Sequence, residues 1–305
     1  MRRRWTGLLL AVLLALPVMA KAMTAIVYQP QLRDRDVPAA SWPHIFGVAR
    51  AQGFDTLVVQ WTRHGEGGFT AAADQDWLAA RFADANAAGL KLILGLNSDP
   101  DFYIRQQQSA RTLTSYLRRL SRDDLNLAKL WAGRLDPALI QGWYLPAEID
   151  DVQWREADTY DVLTNHLSNQ VRQLRKVLDR PVYASSFFVG NMAPQTYARM
   201  LGQLEQESGV RLWVQDGAGT GKLNVAERQV YLDAVSNVHA DCQKPASRGV
   251  VFELFVQTGD DTAFRAEPRP LDEARHILAK RAECGRDSVF FSLRYLPALN
   301  GALPY

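Results

Sequence analysis

From residue 23 to the C-terminus, short apolar runs alternate with longer stretches whose hydrophobic positions recur every three or four residues. The runs are MTAIVYQPQ (Met23–Gln31), FDTLVVQW (Phe54–Trp61), LKLILG (Leu90–Gly95), LIQGWYL (Leu139–Leu145), PVYASSFF (Pro181–Phe188), VRLWVQ (Val210–Gln215), GVVFELFV (Gly249–Val256) and VFFSLRY (Val289–Tyr295). Each has the length and β-branched or aromatic content of a buried strand. Between them lie helices with readable ends. Ser41 with Pro43 opens the first and Gly53 closes it; Leu78, Phe82 and Ala85 share a face of the second, which stops at Gly89. Leu163, Leu167, Val171, Leu174 and Val177 stripe a helix over residues 160–178, Pro194 and Gly209 bound another, a further one runs from Asn224 to about His239, and Pro270 opens the last. The stretch Asp101–Arg134 exceeds one crossover helix and predicts a long helix broken around Ser121–Asp124. Strands separated by helices pair in parallel through right-handed crossovers. Eight such units predict an α/β protein, a (β/α)8 TIM barrel filling 23–305 as a single domain, with a doubly wound open sheet as the alternative.

The leader changes where this barrel is expected to reside. Arg2–Arg4 precede an apolar run, Leu8–Met19, too short to span a bilayer and followed by small residues, so residues 1–22 read as a secretory signal peptide cut after Ala20 or Ala22. The mature protein is then expected in the periplasm or outside the cell, with no stable membrane insertion. The 305 residues are 47% hydrophobic and 22% charged, with a formal net charge of +2, and three of the basic residues, Arg2, Arg3 and Arg4, stand at the extreme start. A near-neutral mature chain argues against nucleic acid as a partner. Cys242 and Cys284, the two cysteines, each follow a helix and precede a strand, the seventh and eighth. That places both on the N-terminal rim at adjacent strands and predicts a disulfide between them.

In a barrel of this kind the site lies at the C-terminal ends of the strands. Polar residues gather there: Tyr28, Gln60 with Trp61, Asn97, Glu148, Gln215 with Asp216, Glu253, and Arg294 with Tyr295. Glu148 ends an aromatic strand and precedes Asp150 and Asp151, which read as solvated capping residues. Glu253 interrupts the apolar face shared by Val251 and Phe255. A carboxylate delivered by a buried strand is costly unless it is paired or used. The bland alternative is a salt bridge from Glu253 to Arg294. Facing each other, Glu148 and Glu253 could divide acid/base and nucleophile roles. Trp61, Trp143 and Tyr295 offer rings for sugar C–H faces, and Gln60, Asn97 and Gln215 offer amides for hydroxyls. Histidines at metal-ligand spacing, a G-x-S-x-G elbow and a phosphate loop are all missing, so neither metal nor cofactor is expected. GAGTG at 217–221 reads as a flexible loop.

GWYLPAEIDD at 142–151, VQDGAG at 214–219 and FELF at 252–255 resemble the bacterial family of exported, glycoside-hydrolase-like TIM barrels catalogued as domain of unknown function 4434. The resemblance covers the mature chain. It implies a glycosidase acting on a poly- or oligosaccharide, with the motif glutamates at Glu148 and Glu253. A more distant likeness to retaining glycosidases implies Glu148 as acid/base and Glu253 as nucleophile, although Ala147 stands where those enzymes carry the asparagine that holds the sugar 2-hydroxyl. Retention requires the two carboxyls ~5–5.5 Å apart. Arg294 is expected beside Glu253, keeping it ionised, with Asp216 in reserve as the partner of Glu148 in an inverting site. The alternative is a non-catalytic polysaccharide-binding or scaffolding barrel of an exopolysaccharide or envelope system.

Overall fold

A computed structural model describes residues 22–259 and 265–304; the leader through residue 21 lies outside the described residues. Eight parallel strands close into a barrel: β1 Thr24–Tyr28, β2 Thr56–Val59, β3 Lys91–Gly95, β4 Ile140–Ile149, β5 Val182–Ser186, β6 Arg211–Gln215, β7 Gly249–Glu253 and β8 Asp287–Phe291. They pair in chain order and β8 returns to β1, with Ile26 opposite Phe290. The helices are α1 Trp42–Ala51, α2 Ala72–Ala87, the one-turn α3 Phe102–Arg105, α4 Ala110–Arg134, α5 Ala157–Val177, α6 Pro194–Ser208, α7 Val225–Ser236 and α8 Leu271–Ala279. Closure leaves no sheet edge, so every strand can be apolar on both faces, as their composition required.

The period-two alternation of the strands divides the core into two layers. Outward residues such as Leu57, Leu94, Trp143, Val214 and Phe290 pack under the helices. Inward residues Ala25, Val27, Val58, Ile93, Tyr144, Tyr183, Trp213, Val251 and Val289 fill the barrel. Three large rings stack at its centre, Tyr183 on Trp213 at 4.5 Å between centroids and Tyr144 on Trp213 at 5.9 Å. Gly142 makes room for them, because a Cβ there would lie 2.8 Å from the Tyr183 ring.

The helix after β3 differs from its expected form. The Ser121–Asp124 region is continuous within α4, and the break falls earlier, between α3 and α4. Asp124 looked like a breaker because it is polar, but it is 5% exposed and serves as an anchor. It accepts from the Asn97 backbone N–H at 2.9 Å and from Gln170 Nε2 at 2.6 Å, fixing the exit of β3 to α4 and α5. The caps of α6 and α7 follow the sequence signals. Gly209 ends α6 with φ 75°, and Asn224 caps α7 while Glu227 returns a bond to the Asn224 N–H at 2.8 Å.

On the N-terminal side of the barrel, Cys242 and Cys284 form a disulfide with a Cα separation of 5.4 Å across 42 residues of sequence. Constraining a loop of that size in the unfolded chain stabilises the fold by about 4 kcal/mol in the chain-entropy account. The double change Cys242→Ser with Cys284→Ser is therefore expected to lower the unfolding midpoint markedly in thermal melts, with no change in the parent on adding a reductant too weak to open the bridge.

Candidate functional site

The C-terminal mouth is built around an irregularity in β4. Leu145 pairs with Ala184 and Ile149 with Ser186, so four steps on β4 oppose two on β5. The extra residues bulge out at Pro146–Glu148, where proline has no N–H to give to the ladder. The bulge keeps Leu145 and Ile149 in the helix-facing core and lifts Glu148 off the sheet into the mouth. There Gln215 Nε2 donates to Glu148 Oε1 at 2.9 Å and the Tyr103 hydroxyl donates to Oε2. Gln215 also reaches Ser185 Oγ at 3.4 Å, and Ser185 is bonded to the Tyr144 hydroxyl at 2.8 Å. Burial raises the Glu148 carboxyl above the usual range, and the bonds from Tyr103 and Gln215 pull the other way.

Glu253 ends β7 and is 2% exposed. One carboxylate oxygen accepts the Gly219 backbone N–H. Gly219 has to be glycine, since a Cβ would stand 2.5 Å from the Phe255 ring and 2.9 Å from the Glu253 carboxylate. The stretch read as a flexible loop is thus seated tightly on Glu253. Burial, then the charge of Asp216, push Glu253 up to about 8, with a smaller upward contribution from Glu148 and an opposing one from Arg269. Arg269 donates from Nε to the Glu253 carbonyl at 3.1 Å and also bonds the Ala218 carbonyl, tying the loop after β6 to the end of β7.

A raised folded-state pKa has a definite sign for stability. Below about 4.5 Glu253 is protonated folded or unfolded and costs nothing; as pH rises toward about 8, the unfolded chain releases the proton while the folded one retains it, so stability falls. Glu253→Gln is accordingly expected to match the parent near pH 4.5 and to melt at higher temperature than the parent at pH 8–9, in a thermal series across pH. A midpoint that falls equally at all pH values would contradict this account of the carboxyl.

Several residues expected in the mouth are elsewhere, and strand parity explains most of them. Tyr28 and Trp143 face outward: Tyr28 packs edge-on against Trp42 at 5.6 Å, and Trp143 is fully buried with its indole N–H toward the Leu178 carbonyl. Neither can touch a ligand in the barrel. Arg294 does not stand beside Glu253. Its Nη2 lies 2.8 Å from both Asp34 carboxylate oxygens, and Asp34 also accepts from Tyr28 Oη at 3.0 Å and from the Gln31 N–H at 2.9 Å. Asp216 is buried, accepts the Ala218 N–H at 3.1 Å, and acts on Glu253 through its charge. Asp150 and Asp151 do cap, but they are buried: Asp150 takes Val152 N–H, Gln153 N–H and Gln106 Nε2, and Asp151 takes the Val189, Asn191 and Met192 N–H groups.

Trp61, Gln60 and Asn97 remain at the mouth on the β2 and β3 side. Trp61 is fixed by its N–H to the Pro30 carbonyl at 3.0 Å and lies 4.6 Å from the His64 ring. Gln60 Oε1 and Asn97 Oδ1 are buried acceptors with no protein partner. Tyr295 is 8% exposed and backs Phe255 at 5.9 Å, on the Glu253 side. Tyr103, Tyr144 and Gly219 were not foreseen. Tyr144 had a usable signal, the even-numbered parity it shares with Glu148, whereas Tyr103 sits in a stretch without periodicity. Among the described residues no group of three His, Cys, Asp or Glu side chains is placed to hold a metal ion, and no helix is long and apolar enough to cross a membrane.

A closed parallel barrel whose eight strands alternate with helices is a (β/α)8 fold. Solved structures share that architecture. A putative alpha-L-fucosidase from Bacteroides thetaiotaomicron VPI-5482 superposes with a TM-score of 0.63 at 14% identity, covering 98% of this chain and 96% of its own. The ZgEngAGH5_4 structure does so with a TM-score of 0.51 at 15% identity, covering 90% of this chain and 89% of its own. By sequence, the chain belongs to the family described as Domain of unknown function (DUF4434), whose family model matches residues 23–300. Within that likeness, the uncharacterized protein YbcH of Escherichia coli (strain K12) is 46% identical over 305 residues, 99% of this chain and 100% of the relative.

Proposed function

We propose that the protein is a retaining glycoside hydrolase of a poly- or oligosaccharide, with Glu148 as acid/base and Glu253 as nucleophile. The observation that carries the reading is the 215–219 segment, which holds both carboxyls at once: Gln215 donates to Glu148 and Gly219 to Glu253. A loop serving only the fold has no need to orient two costly buried acids at the C-terminal end of the barrel. Glu148, raised by burial, can retain a proton for the leaving oxygen. Attack needs Glu253 as the anion, so its proton is first released to solvent; burial and Asp216 disfavour that anion, and the positive charge that grows on the sugar ring in an oxocarbenium-like transition state compensates it. That arrangement stabilises the transition state more than the ground state.

The unpartnered Gln60 and Asn97 oxygens suit sugar hydroxyl donors, and Trp61 presents a partly exposed ring beside them. With Ala147 in place of an asparagine and Gln215 engaged by Glu148, Asn97 is the amide left for the 2-hydroxyl. Purified protein incubated with a panel of bacterial and plant polysaccharides should release reducing ends from at least one; no release from any would remove the enzymatic reading. A second reading, a non-catalytic saccharide-binding barrel of an envelope system, is favoured by one observation: Glu253 is almost fully buried with an oxygen on a backbone N–H, as a structural carboxyl would be. A binder would retain saccharide on an affinity gel without cleaving it. The basic and apolar leader and the disulfide support export to the periplasm, which N-terminal sequencing of a periplasmic fraction checks: a chain that still begins at Met1 would refute cleavage.

A further inference from the structure

The turn between β3 and α4 reaches across to the end of β4. Its one-turn helix α3 is anchored by Phe102, 6% exposed, and by Gln106, 3% exposed, while Tyr103 and Ile104 between them are 44% and 70% exposed. Two residues of this segment grip the acidic end of β4: Tyr103 Oη donates to Glu148 and Gln106 Nε2 to Asp150 at 2.9 Å. Asp150 in turn receives the Val152 and Gln153 N–H groups, so the exit of β4 is fixed at both ends of the bulge. The Tyr103 ring also lies 6.4 Å from Phe187 on the β5 side, closing an aromatic lip over Glu148.

We propose that Tyr103 is a positioning residue for Glu148, its hydroxyl holding one carboxyl oxygen from the open side of the mouth while Gln215 holds the other from the barrel side. This rests on the glycosidase reading only for its catalytic consequence; the contact itself does not. With both oxygens fixed, the plane of the carboxyl is set before a ligand arrives, which is what proton delivery to a glycosidic oxygen requires. Tyr103 is suited to the task because burial of its hydroxyl, at the inner end of a partly exposed side chain, and the neighbouring Glu148 keep its phenol protonated far above the usual tyrosine range, so it remains a donor at any working pH. The titratable groups facing Glu148 are Tyr103 from α3, Tyr144 from its own strand and Glu253 from β7. Of these two tyrosines Tyr103 is the one that donates to it, while the Tyr144 hydroxyl is bonded to Ser185.

The test follows the Glu148 side-chain carboxyl by carbon-13 NMR in glutamate-labelled full-length mature protein across pH, with Glu148→Gln identifying the signal. Tyr103→Phe retains the ring and removes the donor to the anion. It should move the Glu148 titration upward by about one pH unit, given the usual strength of a hydrogen bond to a charged group. Ile104→Ala, on the same exposed turn, should leave the titration where it was. An unchanged Glu148 titration in Tyr103→Phe, or an equal shift in Ile104→Ala, would overturn the inference. The outcome is separable from the wider reading: a shift in Tyr103→Phe alone, from a protein that cleaves no saccharide, sustains the positioning contact and sinks the glycosidase. If a substrate is cleaved, the same variant should lower kcat more than it raises KM and should displace the alkaline limb of the pH profile.

Discussion

Glu148→Gln is expected to reduce saccharide turnover by ~10²–10⁴-fold, the range over which a positioned general acid acts, and to leave saccharide binding intact. Gln retains the shape of Glu148 and can still pair with Gln215 and Tyr103, so the loss is of the proton and not of the site. Glu253→Gln is expected to cost more, ~10⁴-fold or beyond, as loss of a covalent nucleophile does. It should at the same time make the protein more stable at alkaline pH, because the charge that Asp216 and burial oppose is gone. Opposite effects on activity and stability from one substitution are the signature of a group retained for chemistry. Kinetics and melts on the same preparations read both. Turnover within tenfold of the parent in either variant would strike that residue from the catalytic pair.

The second large effect concerns a residue with no contact to the mouth. Asp34→Ala is expected to destabilise the protein by about 3–5 kcal/mol, since it strands a buried guanidinium without its partner. The Arg294 side chain is 3% exposed and that of Asp34 is fully buried, and the carboxylate also satisfies Tyr28 Oη and the Gln31 N–H. Changing both partners, Asp34→Ala with Arg294→Met, should recover much of the loss, because an apolar pair leaves no charge to solvate. Denaturant unfolding of the two single variants and the double closes the cycle. A loss below about 1 kcal/mol for Asp34→Ala would mean that water reaches Arg294 and that its assignment to the fold, away from a ligand, is wrong.

Particular residues show why the fold was easy to read and the site was not. Strand and helix periods are local properties of the chain, so the eight apolar runs, Gly209 and Asn224 declared themselves. The face a strand residue takes is also local, but it has to be counted from a known inward residue. Counting back from Glu148 selects Tyr144 and rejects Trp143, and counting one forward from the inward Val27 rejects Tyr28. Pairings across the barrel have no local trace. Arg294 was expected at Glu253, and what sends it to Asp34 is the short helical turn at Leu293–Tyr295 after β8, which aims the arginine toward the loop after β1. Asp124 misled for a related reason: a polar run on a helix reads as a break unless its buried partners, Asn97 N–H and Gln170, are known. Tyr103 was invisible because its place depends on anchors at Phe102 and Gln106 that only the tertiary structure supplies.

Cleavage of a glycosidic bond with retention by Glu148 and Glu253 is read by proton NMR of the anomeric signals during the first minutes of hydrolysis, on the saccharide that releases most reducing ends. The first product is expected to carry the anomeric configuration of the bond that was cut, with the other anomer growing in only at the rate of mutarotation, and neither is expected with Glu253→Gln. An inverted first product, or cleavage that persists undiminished in Glu253→Gln, would contradict it.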